Sequence, residues 1–422
     1  MHQQDLSKTI RLYYDDSEMK EFTARVISCV PCGEGWLLEL DRTAFFAEGG
    51  GQDGDRGRLV LCGDAADCGV LSSENKACLP PEGRDDASCA KQLAVTDTTE
   101  SCGIIYHHVS ECVEPGTCVR GIIDWQLRFD RMQQHSAEHI VSGLVHQLYG
   151  FDNVGFRLTD EKTTLDFNGV LTAADVDKIE LLSNEAVWKN VPFRTFFPEK
   201  EEEAALDYRS KIDIEGRVRL VEVPGYDLCA CCAPHVKTSA EIGLIKIVDL
   251  MNYKGGVRLT IKCGGRALSD YGGALRMLGD LGEKLSSPRG ELPARLEKLQ
   301  DELAQARSET ISWQYEFIGR CSAEDFGGIS LAILPAVSSD AVRRYINERL
   351  RSADGILAVF FGSDEDGYNY IAGSSSADLR PLSAEINAAM SGRGGGKGSM
   401  VQGQVHSDKE SIRRFFAGRS TK

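Results

Sequence analysis

Residues 131–143, RMQQHSAEHIVSG, place two histidines four positions apart, at His135 and His139. Side chains at positions i and i+4 lie on one face of an α-helix, so both imidazoles could bind a single metal ion. The spacing of the apolar residues predicts a helix over 131–149. A histidine pair of this kind also occurs by chance on half-buried helices, so a metal site requires ligands from elsewhere in the chain.

A second pair of metal-binding side chains, Cys231 and His235, lies in DLCACCAPHVKTSAEIG at residues 227–243. This stretch follows a strand-like segment, LVEVPG. Thiolate and imidazole are donors of tetrahedral zinc, and two ligands from a helix can combine with two from a loop. The two pairs together predict a Zn²⁺ site. Cys229 and Cys232 are neighbouring thiols that the sequence leaves open as competing ligands.

A third informative stretch, DRTAFFAEGGGQDGDRG at residues 41–57, contains three successive glycines followed by Gln52. Glycines after an apolar strand predict a tight turn in which the backbone can approach a ligand closely. Gln52 offers both a hydrogen-bond donor and an acceptor. The turn lacks the spacing of a phosphate-binding P-loop, so it gives no independent support for ATP binding.

Composition and charge restrict the class of protein. A chain of 422 residues is long enough for two or three domains, and 42% hydrophobic residues is an ordinary value. No run approaches the roughly 18 apolar residues of a membrane span, so no membrane association is expected. The polar N-terminus lacks a secretory h-region, which favours the cytoplasm, and the 14 cysteines are interpreted as reduced thiols.

A net charge of −16 argues against a generally basic nucleic-acid-binding surface. The charge is unevenly distributed, because the last 32 residues carry seven Lys and Arg against two Asp and Glu. This basic segment includes SGRGGGKGSMVQGQV at residues 391–405, where Arg393 and Lys397 flank Gly394, Gly395 and Gly396. It predicts a flexible basic loop suited to phosphate or ribose contact, with a solvated loop as the alternative.

The pattern of strands and helices predicts a multidomain α+β fold. Residues 1–115 contain short strand-like runs and the GGGQ turn, and are expected to form an antiparallel β-barrel or sandwich, with the barrel preferred. Residues 116–270 mix helices and strands and carry the metal ligands. A helical connector over 271–318 and a C-terminal α/β domain over 319–422, with the glycine-rich basic loop, complete the predicted order.

The connector has an apolar pattern of its own. Apolar residues recur at spacings of four and three, at Leu292, Leu296, Leu299, Leu303 and Ala306. This pattern predicts the seam of a short coiled coil or helical hairpin, through which two copies of the chain could form a homodimer. A helix packed on its own domain is an equally suitable explanation. The C-terminal domain is the other candidate for self-association.

These stretches together resemble the editing domain of alanyl-tRNA synthetases and the free-standing alanyl-tRNA editing proteins of AlaX type. The resemblance rests on TAFFAEGGGQ, on RMQQHSAEHI with the preceding IDWQLRFD, and on CCAPHVKTSAEIG followed by YKGGVRLTIKCGGRA. The glycine-rich stretch at 391–405 is similar to a motif of the C-terminal domain found in the synthetases and the long editing proteins. The resemblance therefore covers nearly the whole chain, in the order that the family uses.

The family's functional residues fall on positions already identified. The resemblance implies zinc ligands His135, His139, Cys231 and His235, an active-site Gln52, and Thr43 as a discriminator of the amino-acid side chain. It implies hydrolysis of the ester between a wrong amino acid, chiefly serine with glycine as a second candidate, and tRNA(Ala). Zinc could act as a Lewis acid or hydroxide source, or could position the terminal adenosine, and four protein ligands favour positioning.

Two departures from the family pattern leave alternatives open. The family's glycine-glycine-threonine between the cysteine and histidine ligands is Cys232-Ala233-Pro234 here, which stiffens the loop. Glu138 completes an HxxEH motif, which is typical of inverted zinc peptidases. A peptidase is therefore one alternative function. A non-catalytic tRNA-binding module with a structural zinc is the other.

Overall fold

The computed structural model describes residues 9–62, 91–210, 217–352 and 354–419. The chain separates into two compact units, Met1–Arg276 and Met277–Lys422. The predicted domain boundaries at residues 115, 270 and 318 divide the chain more finely, and they stay predictions. No described helix combines the length and the apolar character that crossing a membrane requires.

The first unit contains the metal-ligand segments. Its strands are β1 (Ile10–Arg11), β2 (Glu21–Cys32), β3 (Gly35–Leu40), β4 (Arg42–Thr43), β5 (Gly57–Leu61), β6 (Gln92–Val95), β7 (Asp97–Ser101), β8 (Ile104–Val109), β9 (Cys118–Ile123), β10 (Asn153–Leu158), β11 (Thr163–Phe167), β12 (Arg194–Phe196), β13 (Leu220–Val223), β14 (Asp227–Ala230), β15 (Ile245–Tyr253) and β16 (Gly256–Cys263). Its helices are α1 (Trp125–Tyr149), α2 (Ala173–Trp188), α3 (Lys200–Glu203) and α4 (Gly264–Leu285), and α4 contains the boundary between the units.

The N-terminal strands form a seven-stranded sheet in the order β6-β5-β9-β2-β3-β8-β7. Alternation along β2 buries Phe22, Ala24 and Val26, as expected for a strand with one face on a core. The predicted closed barrel is wrong for the described residues, because β6 and β7 pair with β5 and β8 and not with each other. Only Thr96 separates β6 from β7, so the chain cannot place them side by side.

Helix α1 continues directly from strand β9 and is the central element of the first unit. The predicted helix over 131–149 is confirmed, but it begins six residues earlier, at Trp125. The Asp124 side chain accepts a hydrogen bond from the backbone N–H of Leu127 and so caps the helix. At the other end, Gly150 adopts the left-handed conformation that terminates helices.

Two buried arginines join α1 to the N-terminal strands. Arg128 is fully buried, pairs with Asp55, and donates to the carbonyl of Ala44 at 2.5 Å. Arg131 is also fully buried and donates to the carbonyl of Gly54. Because a buried guanidinium is stable only when its donors are bonded, these contacts hold the ligand-bearing helix against the segment that contains the GGGQ turn.

The rest of the first unit packs around α1. Strands β10-β11-β16-β15 form a four-stranded antiparallel sheet, and β12-β13-β14 form a three-stranded one. One apolar cluster connects these sheets with α1 and α2 and includes Ile140, Leu165, Ile179 and Leu259. The predicted α+β character of this region is confirmed by this mixture of helices and antiparallel strands.

The second unit is an α/β sandwich. Its elements are α5 (Leu292–Arg320), β17 (Glu324–Phe326), β18 (Ile329–Leu334), α6 (Ser339–Arg349), β19 (Ile356–Ser363), β20 (Gly367–Ser374), α7 (Arg380–Ala389), β21 (Arg393–Lys397), β22 (Met400–Val405) and α8 (Lys409–Ala417). The strands form one sheet in the order β17-β18-β19-β20-β22-β21. Phe360 faces the cluster with α7 and α8, whereas Val359 and Phe361 face the cluster with α6 and the end of α5.

Helix α5 has two halves with different surroundings. Its C-terminal part packs on its own unit, where Ile318 is 1% exposed beside α6. The predicted apolar seam lies in the other half, where Leu296, Leu299 and Leu303 are 49%, 39% and 50% exposed. Leu292, the first residue of the predicted seam, is only 7% exposed. The structure therefore supports packing of both ends of α5 within the protein and leaves Leu296, Leu299 and Leu303 exposed.

Candidate metal centre

The four predicted ligands lie together in the first unit. Helix α1 contributes His135 and His139, and the loop after β14 contributes Cys231 and His235. The ligand atoms of these four residues lie within 4.8 Å of one another. The three histidines are at most 2% exposed, whereas Cys231 is partly exposed. Two segments separated by about a hundred residues of sequence thus form one cluster.

Each imidazole in the cluster forms a hydrogen bond through Nδ1 to a neighbouring side chain. The pairs are His135 with Gln52 Oε1 at 2.8 Å, His139 with Asp227 Oδ2 at 2.8 Å, and His235 with Ser136 Oγ at 3.2 Å. Histidines that bind a metal through Nε2 usually donate from Nδ1 to an acceptor of this kind. The acceptor oxygens of Gln52 and Asp227 set the tautomer that leaves Nε2 of His135 and His139 as metal donors, and the Ser136 hydroxyl can accept from His235 Nδ1 in the same way.

The Nε2 atoms converge on the Cys231 thiol. Cys231 Sγ lies 3.6 Å from Nε2 of His135 and 3.3 Å from Nε2 of His235. Nε2 of His139 is buried and has no hydrogen-bond partner among the described residues. A buried polar atom without a partner is costly, and a cation at this point would satisfy it. Three imidazoles and a thiolate fit tetrahedral zinc.

Burial controls the protonation of these groups. Burial, followed by the neighbouring His139 and His135, lowers the pKa of His235, which keeps this imidazole neutral and able to bind a cation. Burial raises the pKa of the Cys231 thiol, so a bound cation would be needed to stabilise its thiolate. The cluster is therefore suited to bind a metal ion. Without a metal ion, burial disfavours the charged forms of His235 and Cys231.

Asp227 is a positioning residue that the sequence analysis did not identify. Its two carboxylate oxygens accept hydrogen bonds from Nε and Nη2 of Arg209 at 2.7 and 2.8 Å, and Oδ2 also accepts from His139. Burial raises the pKa of Asp227, but the bonds from His139 and Arg209 outweigh burial and lower it overall. The carboxylate thus remains charged and orients His139. No spacing in the sequence distinguishes this aspartate from others.

The competing cysteines occupy different positions. Cys229 belongs to a second group of possible ligands with His139 and Asp227, but Asp227 is already engaged by Arg209. Cys232 lies outside both groups. Its Sγ lies against the glycine turn, within 3.7 Å of the positions that side-chain carbons on Gly49 and Gly50 would occupy. The geometry favours Cys231 as the thiolate ligand.

The glycine turn places Gln52 beside the ligands. Gly49 and Gln52 exchange backbone hydrogen bonds, and Gln52 is fully buried. Gly51 has a φ of +85°, and a Cβ there would lie 2.4 Å from the carbonyl oxygen of Phe156, so only glycine fits. Besides orienting His135, Gln52 has an amide Nε2 with no hydrogen-bond partner among the described residues. This donor is available to a ligand.

Thr43 lies on strand β4, which pairs in parallel with β1 in a separate two-stranded sheet. Its hydroxyl accepts a hydrogen bond from the backbone N–H of Phe45 at 3.1 Å and is 2.8 Å from Nε2 of His107. Burial lowers the pKa of His107 to about 4, and its Nδ1 donates to the carbonyl of Leu38. Nε2 of the neutral ring is therefore the acceptor, and the Thr43 hydroxyl donates to it. One lone pair of this hydroxyl remains for a ligand.

Glu138, the third member of HxxEH, is 1% exposed. Its Oε1 accepts hydrogen bonds from Ser142 Oγ at 2.8 Å and Asn153 Nδ2 at 2.7 Å, and its Oε2 lies 3.9 Å from Nε2 of His139. These contacts anchor the carboxylate between α1 and β10. They do not favour the general-base role that a peptidase requires.

The predicted basic loop of the second unit is a strand. Arg393, Gly394, Gly395, Gly396 and Lys397 form the exposed edge strand β21, paired with β22. The expectation of a flexible loop is therefore wrong. Because glycine has no side chain, the backbone of β21 can approach that of β22 closely and pair with it. A Cβ on Gly394 would lie 2.4 Å from the carbonyl oxygen of Gln402. A cavity of about 420 Å³ adjoins this strand and is lined by Gly394, Gly395, Arg343 and Tyr370, among others.

Comparison with known proteins finds a described family region at one of the two segments that form the cluster. Residues 218–260, which include Cys231 and His235, match the family described as "Threonyl and Alanyl tRNA synthetase second additional domain". The alanyl-tRNA editing protein AlaX-L of Pyrococcus horikoshii is 24% identical over 423 residues, covering 95% of this chain and 96% of that protein.

Alanine–tRNA ligases are also similar to the chain. The enzyme of Ignicoccus hospitalis is 27% identical over 96% of this chain, and that of Natronomonas pharaonis is 29% identical over 89%. The chain spans only 42% and 39% of these two ligases. The solved C-Ala domain of Aquifex aeolicus alanyl-tRNA synthetase matches 24% of this chain and 98% of that domain at 16% identity, with a TM-score of 0.21, too low to compare folds. The chain is therefore related, along nearly its whole length, to the AlaX-type alanyl-tRNA editing proteins and to alanine–tRNA ligases, as its motifs predicted.

Proposed function

We propose that the chain is a hydrolase that removes wrongly attached serine, with glycine as a second substrate, from tRNA(Ala). The observation that carries this proposal is the buried cluster of three histidines and Cys231, with every histidine oriented through Nδ1. Two of the four residues, Cys231 and His235, lie in the segment similar to the second additional domain of tRNA synthetases. Such a cluster costs stability unless it serves a metal. Acting on tRNA, the protein would work in the cytoplasm.

The proposed chemistry requires little from the protein beyond positioning. An aminoacyl ester is already activated, so a placed water and a fixed ester supply most of the rate. A zinc ion held by His135, His139, Cys231 and His235 would supply positive charge to fix the end of the substrate. The amide Nε2 of Gln52 has no partner among the described residues and would donate a hydrogen bond to the ester or to the attacking water. Four protein ligands favour this positioning role.

Selectivity for serine over alanine would use Thr43. A site that binds the alanine methyl group discriminates weakly against serine, because rejecting an added hydroxyl is difficult in an apolar pocket. A second site can instead select serine by forming a hydrogen bond with its hydroxyl. The remaining lone pair of Thr43 Oγ1 would accept from the serine hydroxyl, while His107 and Phe45 hold the Thr43 side chain in place.

The second unit would supply affinity for tRNA. Arg393 and Lys397 lie at the two ends of the exposed glycine strand, and Arg343 lines the adjacent cavity. Cations beside a flat backbone surface suit contacts to phosphates and riboses. Self-association would involve the exposed seam at Leu296, Leu299 and Leu303, because an unpaired apolar seam on a helix is stabilised by a second copy.

The decisive test is hydrolysis of Ser-tRNA(Ala), Gly-tRNA(Ala) and Ala-tRNA(Ala) by protein whose zinc content has been measured. Rapid loss of serine, retention of alanine, and loss of activity in His135→Ala are expected. Absence of hydrolysis with zinc present would overturn the enzymatic proposal and favour a tRNA-binding module. Glu138→Gln separates the peptidase alternative, because it should abolish peptide hydrolysis but preserve tRNA deacylation if the protein folds normally.

A further inference from the structure

A strip of arginines and aromatic rings lies on the surface of the first unit. We call it the arginine–aromatic strip, and its members are Arg11, Tyr14, Phe197, Arg217 and Arg219. The Arg217 guanidinium lies 5.1 Å from the centroid of the Phe197 ring, and the Phe197 and Tyr14 rings meet edge to face at 5.7 Å. Arg219 and Arg11 lie 5.0 and 5.6 Å from the Tyr14 centroid. The contacts form one continuous surface.

The strip adjoins the loop that carries a metal ligand. Nη1 of Arg219 donates to the carbonyl oxygens of Cys231 at 2.9 Å and Ala233 at 3.0 Å. The Tyr14 ring belongs to the apolar cluster that contains Cys231 and Cys232. Cys231 is partly exposed, whereas the three histidine ligands are buried. The strip therefore borders the side on which a ligand can approach the metal centre.

Internal packing accounts for only part of the strip. Arg219 is 6% exposed, and its bonds to backbone carbonyls explain it as a support of the ligand loop. Arg217 is different, because its side chain is 67% exposed and its acidic neighbour, Glu199, is 3.8 Å away and 78% exposed. A pair so exposed contributes little to stability. Phe197 is partly exposed, and the preceding Phe196 is 37% exposed.

The chemistry of the strip suits single-stranded nucleic acid. Bases stack on aromatic rings, and arginine contributes both stacking and phosphate contacts. Arg11 is paired with Glu100 at 2.5 Å, which leaves Arg217 as the cation that is free to meet a phosphate. We propose that the arginine–aromatic strip binds the unpaired 3′ end of an RNA, with bases against Phe197 and Tyr14 and a phosphate at Arg217, and directs that end to the metal centre. This inference rests on the proposed function, because an aminoacyl ester is carried on such a 3′ end.

The test uses the full chain loaded with zinc and two fluorescein-labelled RNA hairpins. One hairpin ends in about four unpaired 3′ nucleotides, within the usual span of a single-strand site, and the other is blunt. Phe197→Ala should weaken binding of the hairpin with the unpaired end roughly tenfold, the loss expected for one stacked base, and leave the blunt hairpin unaffected. Arg217→Gln should reduce the slope of affinity against salt by about one.

Matched variants keep the test specific. Phe197→Tyr retains the ring and should bind both hairpins like the unaltered chain. Trp188→Ala removes an exposed aromatic ring from α2 and should not change the affinity for either hairpin. Zinc content, measured for every variant, reports that the ligand loop is intact. The inference is overturned if the unaltered chain binds both hairpins equally, or if Phe197→Ala and Arg217→Gln bind the unpaired end normally.

The outcomes also separate this inference from the proposed function. The unaltered chain could hydrolyse no mischarged tRNA while Phe197→Ala loses its preference for the hairpin with the unpaired end. This result would support RNA binding by the strip and overturn the proposed hydrolase activity. Normal hydrolysis of Ser-tRNA(Ala) by Phe197→Ala with an unchanged KM would overturn the strip and support the hydrolase.

Discussion

Gln52 has two functional atoms, and they have different partners. Oε1 accepts the hydrogen bond from His135 Nδ1, whereas Nε2 has no partner among the described residues. Gln52→Ala should lower zinc affinity about 10–100-fold, because the ligand loses the group that orients it. Competition with a chromophoric zinc chelator measures this change. Gln305→Ala, which removes an exposed glutamine from α5, is the control, and equal affinities of the two variants would contradict the orienting role.

His107 should make folding depend on pH. Burial lowers its pKa from the usual 6.5 to about 4, so below pH 6.5 the unfolded chain binds a proton that the folded chain does not. Stability is therefore lost as the pH falls from about 6.5 towards 4. From pH 7 to pH 5 the loss should be about 2 kcal/mol. Urea unfolding of zinc-free protein at both pH values measures it. His107→Gln lacks this titration, and an identical pH dependence in that variant would refute the assignment.

At the scale of single residues, the sequence predicted the four clustered residues and Gln52, but not Asp227 and Ser136, which contact His139 and His235. The HxxxH and CxxxH spacings express the geometry of a helix and of a short loop, so they are visible in one sequence. Asp227 and Ser136 contact ligands across large sequence separations, of 88 and 99 residues. Pairings of that kind depend on how the elements pack, which no local pattern encodes.

The glycine turn is the element with the least tolerance for change. Gly51→Ala introduces a residue at φ +85° and a Cβ 2.4 Å from the Phe156 carbonyl. Gly116→Ala is the matched control, because Gly116 has φ +86° and open space around it. Both should lose about 1 kcal/mol of stability from the left-handed backbone, and Gly51→Ala should lose about 1–3 kcal/mol more from the clash. Urea unfolding measures the free energy of unfolding of both variants. Equal losses in the two would show that the close approach to Phe156 is unimportant.

Helices were easier to predict than the arrangement of strands. The helix expected over 131–149 is observed as the greater part of α1. The start of α1 was missed because the apolar residues of IDWQLRFD alternate at every second position, which is typical of a strand, and because the buried Arg128 resembles polar surface in the sequence. The open order of the N-terminal sheet depends on pairing partners that are distant in sequence, such as β2 and β9. The strand formed by RGGGK pairs with the neighbouring β22, but glycine is uncommon in strands, so the composition of this stretch did not indicate one.

For the whole molecule, the two units should have separable effects on tRNA. The double variant Arg393→Gln with Lys397→Gln should weaken tRNA binding and lower the salt slope by about two, one for each phosphate that the variant no longer neutralises. Hydrolysis at saturating tRNA should be unchanged, because the metal ligands lie in the first unit. Filter binding and single-turnover hydrolysis measure the two effects. Arg120→Gln with Lys246→Gln removes the same charge elsewhere, and an equal weakening there would indicate a nonspecific effect.

Self-association should depend on the exposed seam of α5. Leu296 and Leu303 are each about half exposed, an arrangement that a second helix would stabilise. The double variant Leu296→Lys with Leu303→Lys should convert a dimer into monomers in sedimentation equilibrium. The folding of the second unit should be unchanged. Leu181→Lys, at a half-exposed leucine on α2, is the control. A chain that is monomeric before any substitution would remove the seam from consideration as an interface.

The separation of the ligands along the chain has a consequence for biosynthesis. His135 and His139 leave the ribosome almost a hundred residues before Cys231 and His235, and Gln52 leaves earlier still. A nascent chain therefore carries half a coordination shell for a long part of its synthesis. During that time Arg128 and Arg131 can help to hold α1 in place, through contacts with residues already made. Binding of a metal ion by these four residues would then be a late event, completed only when the second pair has been translated.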